Sequence, residues 1–505
     1  MSLRSLTLSL LLSSGLGSAS LIAGAEINLT GKITGSDGKG IPGVQVLLKQ
    51  ARLAATTDAD GAYKLDANSV RLSGSARPIP GEPCIRGGEL EFSVTAEAGS
   101  ADIRAYDLFG RPAGTLLRGA LKPGAYRLPL PAGMGASMLF LRARIGTRSQ
   151  VLRYFPVNSA NAAPASGLPA PAAARALPKS AAAEYDTLLA SKEGYTPDYK
   201  RINSLAGGND FFLVQPRVFW GDPTGVPPAA QVMTYRFLNR TNGKYADKDI
   251  YWKFTGFKLG TQEPIPVQSG NLAENPLLDL PPHHAGRVTF NLGSPTGEYT
   301  DFIEQTADNL GWHGNTTRVD AYGLPMAMRL LCEDGRDDLL GEKYEVFYLG
   351  REKFFQRYLA TVPAEFQHNA DASAKRLRIT APGKGDMAFN PGQQYAEYFS
   401  NYFKELNLSG AKVTSQFAFA CQDDFFNQKA DLCGAINRHV AQLPPAQWKN
   451  PEFFYQQAPA NFYAKFFHAY SFREKAYGFA YDDAAEMAAF AECAKPKALI
   501  IAIGW

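Results

Sequence analysis

DFIEQTADNLGWHGNTTRVDAYGLPMAMRL, residues Asp301–Leu330, holds two β-like runs on either side of a polar loop that contains glycine. The first run carries Glu304, and the second carries Asp320 inside the apolar segment Val319–Tyr322. A carboxylate in a strand costs free energy unless it is hydrogen-bonded or needed for chemistry. Two such carboxylates, brought together by one short connection, therefore indicate an acid/base pair.

Length and composition exclude some classes of protein. A chain of 505 residues exceeds one ordinary hydrophobic core, so we expect roughly two to four domains. The formal net charge of +4, with 20% charged residues, predicts no nucleic acid or other polyanion as partner. The aromatic content of 12% is typical of carbohydrate-binding proteins, in which sugar rings stack on aromatic faces, and equally of β-rich cores.

The N-terminus has the features of a signal peptide over residues 1–25. Arg4 supplies the positive start, Leu6–Leu12 the apolar segment and Ala23–Ala25 an A-x-A cleavage site. No cysteine stands at that site, which argues against a lipid anchor, and no later apolar run reaches transmembrane length. We therefore expect a soluble protein, secreted or at the cell surface.

Export permits disulfides among the five cysteines. Cys421 and Cys433 are close enough in sequence to pair across a polar loop, which leaves Cys332 and Cys493 as a second candidate pair. Spacing does not fix the connectivity, and buried free thiols are the alternative. His283-His284 lacks a third ligand at a useful spacing, so we expect no metal and no other cofactor.

The N-terminal part of the mature chain is predicted to be a small β-sandwich over residues 26–70, followed by a connector over 71–88. Tight turns at Asp37–Gly40 and Asp58–Gly61 separate strand-like runs. The pattern G-x-I…G-x-P-G-V-x-V…T-D-x-D-G-x-Y resembles the carboxypeptidase regulatory-like domain. That resemblance implies an accessory module without catalysis.

A second β unit is predicted over residues 89–157. The phrases I-R-A-Y-D-L-F-G-R and L-K-P-G-A-Y-R-L resemble the Ig-like sorting domain of type IX secretion substrates. That domain normally ends a chain, whereas this copy is internal, so we expect a structural spacer. Residues 158–183 are rich in Ala and Pro and predict a semi-extended linker.

Residues 184–505 form the largest predicted unit. Strand-like runs occupy its first half: Phe211–Val214, Val218–Trp220, Met233–Phe237, Ile250–Phe254 and Gly286–Asn291. Helical spacing of aromatic residues follows at Gln394–Leu406 and Pro459–Tyr470. The unit is therefore predicted to be β in its first half and mixed α/β in its second.

This unit resembles glycoside hydrolase family 64, the endo-acting, laminaripentaose-producing β-1,3-glucanases, which are distantly thaumatin-like. The residues that carry the resemblance are Glu304, Thr306, Asn315-Thr316, Val319-Asp320 and Gly323–Pro325. The phrase A-Y-G-F-A-Y-D-D and the terminal G-W resemble the closing segment of the family. The implied fold class is multidomain and mainly β: two small sandwiches, then a thaumatin-like β-barrel part and a mixed α/β part with a groove between them.

The resemblance implies that Glu304 is the general acid and Asp320 the general base of an inverting hydrolysis. A regular hairpin centred on Trp312 would set the two directly opposite each other, with Cβ atoms about 4.5–5.5 Å apart. Inverting enzymes need about 6.5–9.5 Å between the carboxyl groups to admit a water. We therefore expect a long loop over 307–316 that spreads the strands, or side chains that diverge.

Five neighbouring residues are candidates for substrate binding. Thr306 shares the face of Glu304 and either orients the acid, binds sugar or packs as an ordinary strand residue. Asn315 and Thr316 either bind glucan hydroxyls or shape the loop. Trp312 either stacks on a sugar ring or anchors the loop, and Asp482, after an aromatic strand-like run, is a candidate for lining the groove.

The leading hypothesis is an exported endo-β-1,3-glucanase that acts as a monomer on linear β-1,3-glucan. A glucan-binding, thaumatin-like protein without turnover is the alternative, since a fold can bind a polysaccharide without cleaving it. A structural or adhesive surface protein is a third class, indicated by the two N-terminal β modules. Asp301, near the start of the first run, is expected to be solvated.

Overall fold

The computed structural model describes residues 27–66, 69–71, 84–86, 89–94, 100–106, 112–120, 124–129, 139–145, 148–154, 186–308, 311–384, 388–422, 425 and 430–505. The chain divides into two compact units. One comprises Met1–Val70 with Ala183–Trp505, and the other comprises Arg71–Ala182. The predicted signal peptide, the linker and most of the connector lie outside the described residues.

The strands are β1 (Asn28–Thr34), β2 (Gln45–Leu48), β3 (Leu53–Thr56), β4 (Ala62–Asp66), β5 (Val70–Arg71), β6 (Cys84–Arg86), β7 (Glu89–Val94), β8 (Ser100–Tyr106), β9 (Pro112–Ala120), β10 (Gly124–Pro129), β11 (Leu139–Ile145), β12 (Arg148–Tyr154), β13 (Asp186–Ser191), β14 (Asp198–Ile202), β15 (Ala206–Gly208), β16 (Phe211–Phe212), β17 (Thr234–Arg240), β18 (Ile250–Lys258), β19 (Gln268–Asn271), β20 (Leu277–Asp279), β21 (His283–Leu292), β22 (Tyr299–Asp308), β23 (Gly311–Thr316), β24 (Ala321–Tyr322), β25 (Met326–Cys332), β26 (Asp337–Gly341), β27 (Ile379–Thr380), β28 (Phe490–Cys493) and β29 (Pro496–Gly504).

The α-helices are α1 (Pro216–Trp220), α2 (Tyr344–Leu349), α3 (Arg351–Thr361), α4 (Ala364–Gln367), α5 (Ser400–Glu405), α6 (Ser415–Ala420), α7 (Ala430–Asn437) and α8 (Phe462–Ala469). In the described part of the chain, none of these helices has the length and apolar character needed to cross a membrane. Strands therefore dominate, and the prediction of a mainly β protein is confirmed.

The N-terminal sandwich draws its strands from two separate stretches of chain. β1 pairs with β4 and, in parallel, with β15 and β16, while β2 pairs with β3 and β13. Leu29 and Val46 from the first stretch share a core with Leu188 and Phe211 from the second. The strand pairing therefore does not follow the domain boundary expected at residue 183, because β13–β16 complete the sandwich that residues 27–66 begin.

The unit Arg71–Ala182 contains two antiparallel sheets among its described strands. One has the order β10-β7-β6 and the other β12-β11-β8-β9. The first described strand of these sheets, β6, begins at Cys84, within the stretch expected to be a connector.

Two larger sheets enclose one core of the glucanase-like part, by which we mean residues 216–505. A five-stranded sheet has the order β20-β17-β29-β25-β26, and a six-stranded sheet has the order β19-β18-β21-β22-β23-β28. Phe254, Val288 and Ile303 from the six-stranded sheet pack with Met328 and Ile501 from the other. Buried and more exposed residues alternate along β18 and β22, so one face of the six-stranded sheet meets the core and the other is open.

The helices from α2 to α8 surround a second core that is rich in aromatic rings. Its large members include Phe354, Phe355, Tyr358, Phe366, Phe399, Phe419, Phe466 and Phe467. Tyr322 of β24 and Ile379 of β27 join this core, and the two short strands pair with each other. The chain that leaves the six-stranded sheet after β23 therefore enters the helical part at once.

Several predicted elements are confirmed, namely β17, β18, β21 and α8. Two are wrong. Val218–Trp220 belongs to helix α1 because Pro216 occupies its first turn, where a missing N–H costs nothing. The helix expected over Gln394–Leu406 is confined to α5, and turns occupy the residues before it.

Candidate active site

Glu304 lies in the middle of β22, on the open face of the six-stranded sheet. The long loop expected over 307–316 is wrong, because β22 and β23 pair as a hairpin up to the pair Asp308 and Gly311. The register sets Glu304 opposite Asn315 rather than opposite the second carboxylate. Because Glu304 pairs with Asn315, Glu304 and Asp320 do not face each other across the hairpin, and the strands need not spread.

Arg287 of β21 is the other neighbour of Glu304 across the sheet. Its Nη2 lies 2.7 Å from Glu304 Oε1, and both side chains are nearly half exposed. The guanidinium also stacks on the ring of Phe302, with 3.9 Å from Cζ to the ring centroid. Arg287 is thus held flat against the sheet with its charge directed at Glu304.

A cavity of ≈ 460 Å³ opens on this face of the sheet. Its lining residues are Thr255, Ala285, Gly286, Arg287, Glu304, Gln305, Thr306, His313, Gly314, Asn315 and Phe490. Thr306 and Asn315, two of the predicted binding residues, therefore share the cavity with Glu304. The Oδ1 atom of Asn315 is buried and has no hydrogen-bond partner among the described residues.

Asp320 lies in a bend between β23 and β24, which corrects the expectation that it sits inside an apolar strand. Its side chain is nearly half exposed, and Oδ1 lies 3.2 Å from Lys384 Nζ. Its carbonyl accepts a hydrogen bond of 3.0 Å from Ala381 N–H. The carboxylate is therefore open to solvent, and the hydrogen bond from Ala381 fixes the backbone of the bend that carries it.

A buried ionic cluster ties the bend of Asp320 to β22. Arg318 donates through Nη1 to Asp301 at 2.8 Å, and through Nε and Nη2 to Glu342 at 2.7 and 2.8 Å. The expectation that Asp301 is solvated is wrong, since its partners come from later in the chain. Burial opposes the charge of Arg318, but the two carboxylates more than offset it and raise its pKa.

Backbone groups complete this cluster. Asp301 Oδ2 accepts hydrogen bonds from the N–H groups of Gly323 and Leu324 at 2.9 and 3.0 Å. Glu342 Oε2 accepts one from Met326 N–H at 2.8 Å. Asp301 is three residues before Glu304, and the bend of Asp320 follows Arg318 directly, so the cluster links the two segments that carry the candidate acids. Asp320 itself is not among the residues that line the cavity.

Tyr477 is a site residue that the sequence analysis did not identify. Its carbonyl accepts a hydrogen bond of 2.8 Å from Arg318 N–H, next to the bend. Burial raises the pKa of the Tyr477 hydroxyl, and the negative charges of Asp483, Asp482 and Glu304 add to the effect. The signal was present, since this tyrosine belongs to the A-Y-G-F-A-Y-D-D phrase, but roles were assigned there to the acids alone.

Trp312 does not reach the cavity, which corrects its assignment to sugar binding. Its side chain is 1% exposed and belongs to the core between the two large sheets. Its Nε1–H donates to Gln305 Oε1 at 2.8 Å, so its polar atom is satisfied inside the protein. Thr316, on the same buried face of β23, is likewise enclosed and cannot contact a glucan from there.

Asp482 is fully buried, which also corrects its assignment to the groove. Its Oδ1 accepts from Arg438 at 2.8 Å, and its Oδ2 lies 3.0 Å from His468 Nε2 and accepts from Gly478 N–H at 2.9 Å. Burial would raise the pKa of Asp482, but His468 and Arg438 outweigh burial and lower it. The aromatic run before Asp482 does not lead into a strand at that residue, because Asp482–Ala485 form a short 3₁₀ helix.

Metal ligation finds no support in the described part of the chain, where no group of three His, Cys, Asp or Glu side chains could hold an ion. His283 is completely buried, and burial lowers the pKa of its imidazole. The site therefore offers carboxylates, an arginine and neutral polar groups for its chemistry.

Comparison with known proteins finds a family model that matches part of the chain. Residues 407–503 match the family model of glycoside hydrolase family 64, described as β-1,3-glucanase. A family 64 glucanase domain is therefore supported. The matched residues include Tyr477, Asp482 and Phe490, but neither Glu304 nor Asp320.

Solved structures of this family share the fold. The β-1,3-glucanase domain from Clostridium beijerinckii is 24% identical, with a TM-score of 0.50, and covers 55% of this chain and 100% of its own. The laminaripentaose-producing β-1,3-glucanase from Paenibacillus barengoltzii is 23% identical, with a TM-score of 0.50 and coverage of 84% and 98%. The same values of identity and TM-score hold for its complex with laminarihexaose, with coverage of 84% and 99%. No curated protein matches the chain.

Proposed function

We propose that the protein is an exported endo-β-1,3-glucanase that hydrolyses linear β-1,3-glucan to short oligosaccharides with inversion. The observation that carries the proposal is the cavity on the open sheet face, which Glu304 lines together with Thr306 and Asn315. The family match and the likeness to glucanase structures support the substrate class. Asp320 is not among the residues that line the cavity, and its role as general base rests on the family resemblance.

The proposed reaction uses the two carboxyl groups on opposite sides of the glycosidic bond. Glu304 in its protonated form gives its proton to the leaving oxygen as the bond to the anomeric carbon breaks. Asp320 takes a proton from a water, whose oxygen forms the new bond to that carbon from the other side. Proton transfer leaves Glu304 negative, and Arg287, 2.7 Å away, then stabilises that charge.

The same ion pair has a cost before the reaction. A general acid must give its proton to the leaving oxygen, and Arg287 Nη2 occupies Glu304 Oε1 in the free protein. Bound glucan therefore moves Arg287 away for the proton transfer, and Arg287 returns to the negative Glu304 afterwards; the exposure of both side chains leaves room for that movement. If it does not move, the chain binds glucan without turnover, which is the alternative function that this contact favours.

The remaining parts of the proposal concern binding and location. Thr306 and Asn315 bind glucan hydroxyls, and the glucan lies in a groove between the barrel and the mixed part of a monomeric enzyme. Residues 1–25 direct export, and the pairs Cys332–Cys493 and Cys421–Cys433 suit an oxidising environment. The N-terminal sandwich, of carboxypeptidase regulatory-like type, and the Ig-like sorting-type module are accessory to catalysis.

The test is sugar release from an insoluble linear β-1,3-glucan by the full mature chain, beside Glu304→Gln and Asp320→Asn. A fragment from residue 184 is unsuitable, because it would leave β13–β16 without their partners β1 and β2. Each variant should lose about 10²–10⁴-fold in rate. Glu298→Gln is the matched control, since this exposed glutamate pairs with a lysine away from the cavity and its loss should leave the rate unchanged.

Product stereochemistry tests the mechanism separately. NMR of the first products should show the α-anomer, since inversion at a β-linked carbon gives that form. A β-anomer would point to a retaining reaction, and full activity of either carboxamide variant would remove that residue from the proposal. Binding of glucan by the parent without any release would favour the alternative function.

A further inference from the structure

Phe490 is an exposed aromatic residue on β28, the edge strand of the six-stranded sheet. Its relative exposure is 42%. Among the described residues, the other large apolar side chains with such exposure are Val218, Val267 and Leu277, and none of them lines the cavity. Exposing a phenylalanine ring forfeits burial free energy, and Phe490 is the one of these four side chains that lines the cavity of Glu304.

Phe490 stands in the same cross-strand row as the proposed acid. It pairs with Asn315, which pairs with Glu304, which pairs in turn with Arg287. Neighbouring strands lie about 4.7–4.9 Å apart, so two strand spacings put Phe490 about 9–10 Å from Glu304 along the row. All four residues line the one cavity.

The neighbours of Phe490 suit a sugar ring. The imidazole of His313 lies 6.0 Å away, centroid to centroid, and is tilted by 40°. Asn315 lies on the strand between Phe490 and Glu304. A pyranose ring has apolar C–H faces, and the exposed face of an aromatic ring such as Phe490 matches one of them.

We propose that Phe490 is a stacking platform for one glucose ring of the bound chain, on the side of Glu304 away from Arg287. The inference rests on the proposed function, because it takes β-1,3-glucan as the ligand. This ring is not the one that reacts, so the contact strengthens the ground state and the transition state equally and acts on KM rather than kcat.

The experiment compares the full mature parent with Phe490→Ala, Phe490→Leu and Phe490→Trp on laminarihexaose. Loss of the ring in the Ala and Leu variants should raise KM about tenfold, with kcat within about twofold of the parent. Phe490→Trp keeps an aromatic face and should restore the parent KM. Leu277→Ala is the matched control, because Leu277 is 40% exposed on another edge strand and should change neither constant.

Affinity measured by calorimetry on the same variants separates this inference from the proposed reaction. If the parent binds laminarihexaose but does not cleave it, the proposed reaction fails, and a tenfold weaker binding by the Ala and Leu variants still supports the platform. Equal KM and equal affinity for parent and Phe490→Leu overturn the platform while the glucanase stands. A parent that neither binds nor cleaves overturns both.

Discussion

Replacing Arg318 by methionine should unfold the glucanase-like part at markedly lower denaturant concentration. Arg318 is 2% exposed, and its carboxylate partners Asp301 and Glu342 are 4% and 1% exposed. Methionine fills the volume of the alkyl stem but leaves two carboxylates in the interior without a cation. Removing one member of a buried ionic cluster costs about 3–5 kcal/mol for this reason.

Hydrogen bonds from the local backbone to the two carboxylates shift this cost toward the lower end of that range. Asp301 keeps three N–H donors and Glu342 keeps one after the substitution, so neither carboxylate is left without any partner. Arg287→Met is the control, since its ion pair with Glu304 has the same 2.7 Å length as the contact of Arg318 with Glu342 but lies at the surface. That surface pair is worth about 0–1 kcal/mol.

Tryptophan fluorescence in urea is a suited assay. The five tryptophans of the chain all lie between residues 220 and 505, so the signal reports the glucanase-like part and not the inserted unit. With an m-value of about 3 kcal/mol/M, Arg318→Met should lower the midpoint by about 1–1.7 M. Adding Asp301→Asn and Glu342→Gln to Arg318→Met should recover part of this loss, because no uncompensated charge then remains.

The reasoning fails if Arg318→Met and Arg287→Met unfold at the same urea concentration. It also fails if the triple variant is no more stable than Arg318→Met, since the cost would then come from lost packing rather than from buried charge. Salt gives a further check. Raising the ionic strength should weaken the surface pair of Arg287, whereas the buried cluster is screened much less.

Two further predictions concern groups that the proposed reaction does not use. Asp482→Asn should destabilise the protein at pH 7. Because the folded pKa of Asp482 is lowered, the contribution of its charge to the free energy of unfolding is complete above about pH 4 and disappears as the pH falls through the folded pKa. Unfolding curves of parent and variant, recorded at decreasing pH, should therefore converge. Cys332→Ser with Cys493→Ser opens a link across 161 residues and should lower the free energy of unfolding by about 4–5 kcal/mol. Cys421→Ser with Cys433→Ser opens a link across 12 residues and should cost about 3 kcal/mol. Urea midpoints compare the two double variants, and equal losses would contradict the loop-entropy account.

The position of Glu304 could be predicted because it depends on a local property. Alternation along β22 puts Glu304 and Thr306 on one face, and both line the cavity. The long loop over 307–316 was mispredicted because it was inferred from the separation of carboxyl groups that inversion needs, on the premise that Glu304 and Asp320 face each other across the hairpin. Gly314 is in a strand, and a Cβ there would lie 2.6 Å from the ring of Trp312 and 2.7 Å from a carbonyl oxygen of β22.

That glycine also explains why Trp312 was misplaced. The indole covers the position where a side chain at residue 314 would project, so the tryptophan belongs to the core face of β23. A sequence pattern shows that glycine is required but not whether the cause is a turn or a neighbouring ring. Asp301 and Asp482 failed for a related reason, since their cationic partners lie 17 and 44 residues away in the chain.

The N-terminal sandwich changes what the Ala/Pro stretch can do for the enzyme. If residues 26–70 were a separate module, the linker would let the glucanase-like part move freely. Instead the chain returns to the sandwich through β13–β16, and contacts between this stretch and the glucanase-like part follow. The hydroxyl of Tyr344 lies 3.1 Å from Thr196 Oγ1 and accepts from Trp220 Nε1–H at 2.9 Å, and Lys343 pairs with Asp198 at 2.8 Å.

The contacts of Thr196 and Asp198 are partly buried, so they resist screening and would be lost in a chain that begins after β16. Lys343 would then be left in the interior without its carboxylate, a cost of the same kind as the loss of Arg318. The stretch between β5 and β13 is therefore an insertion into one compact unit.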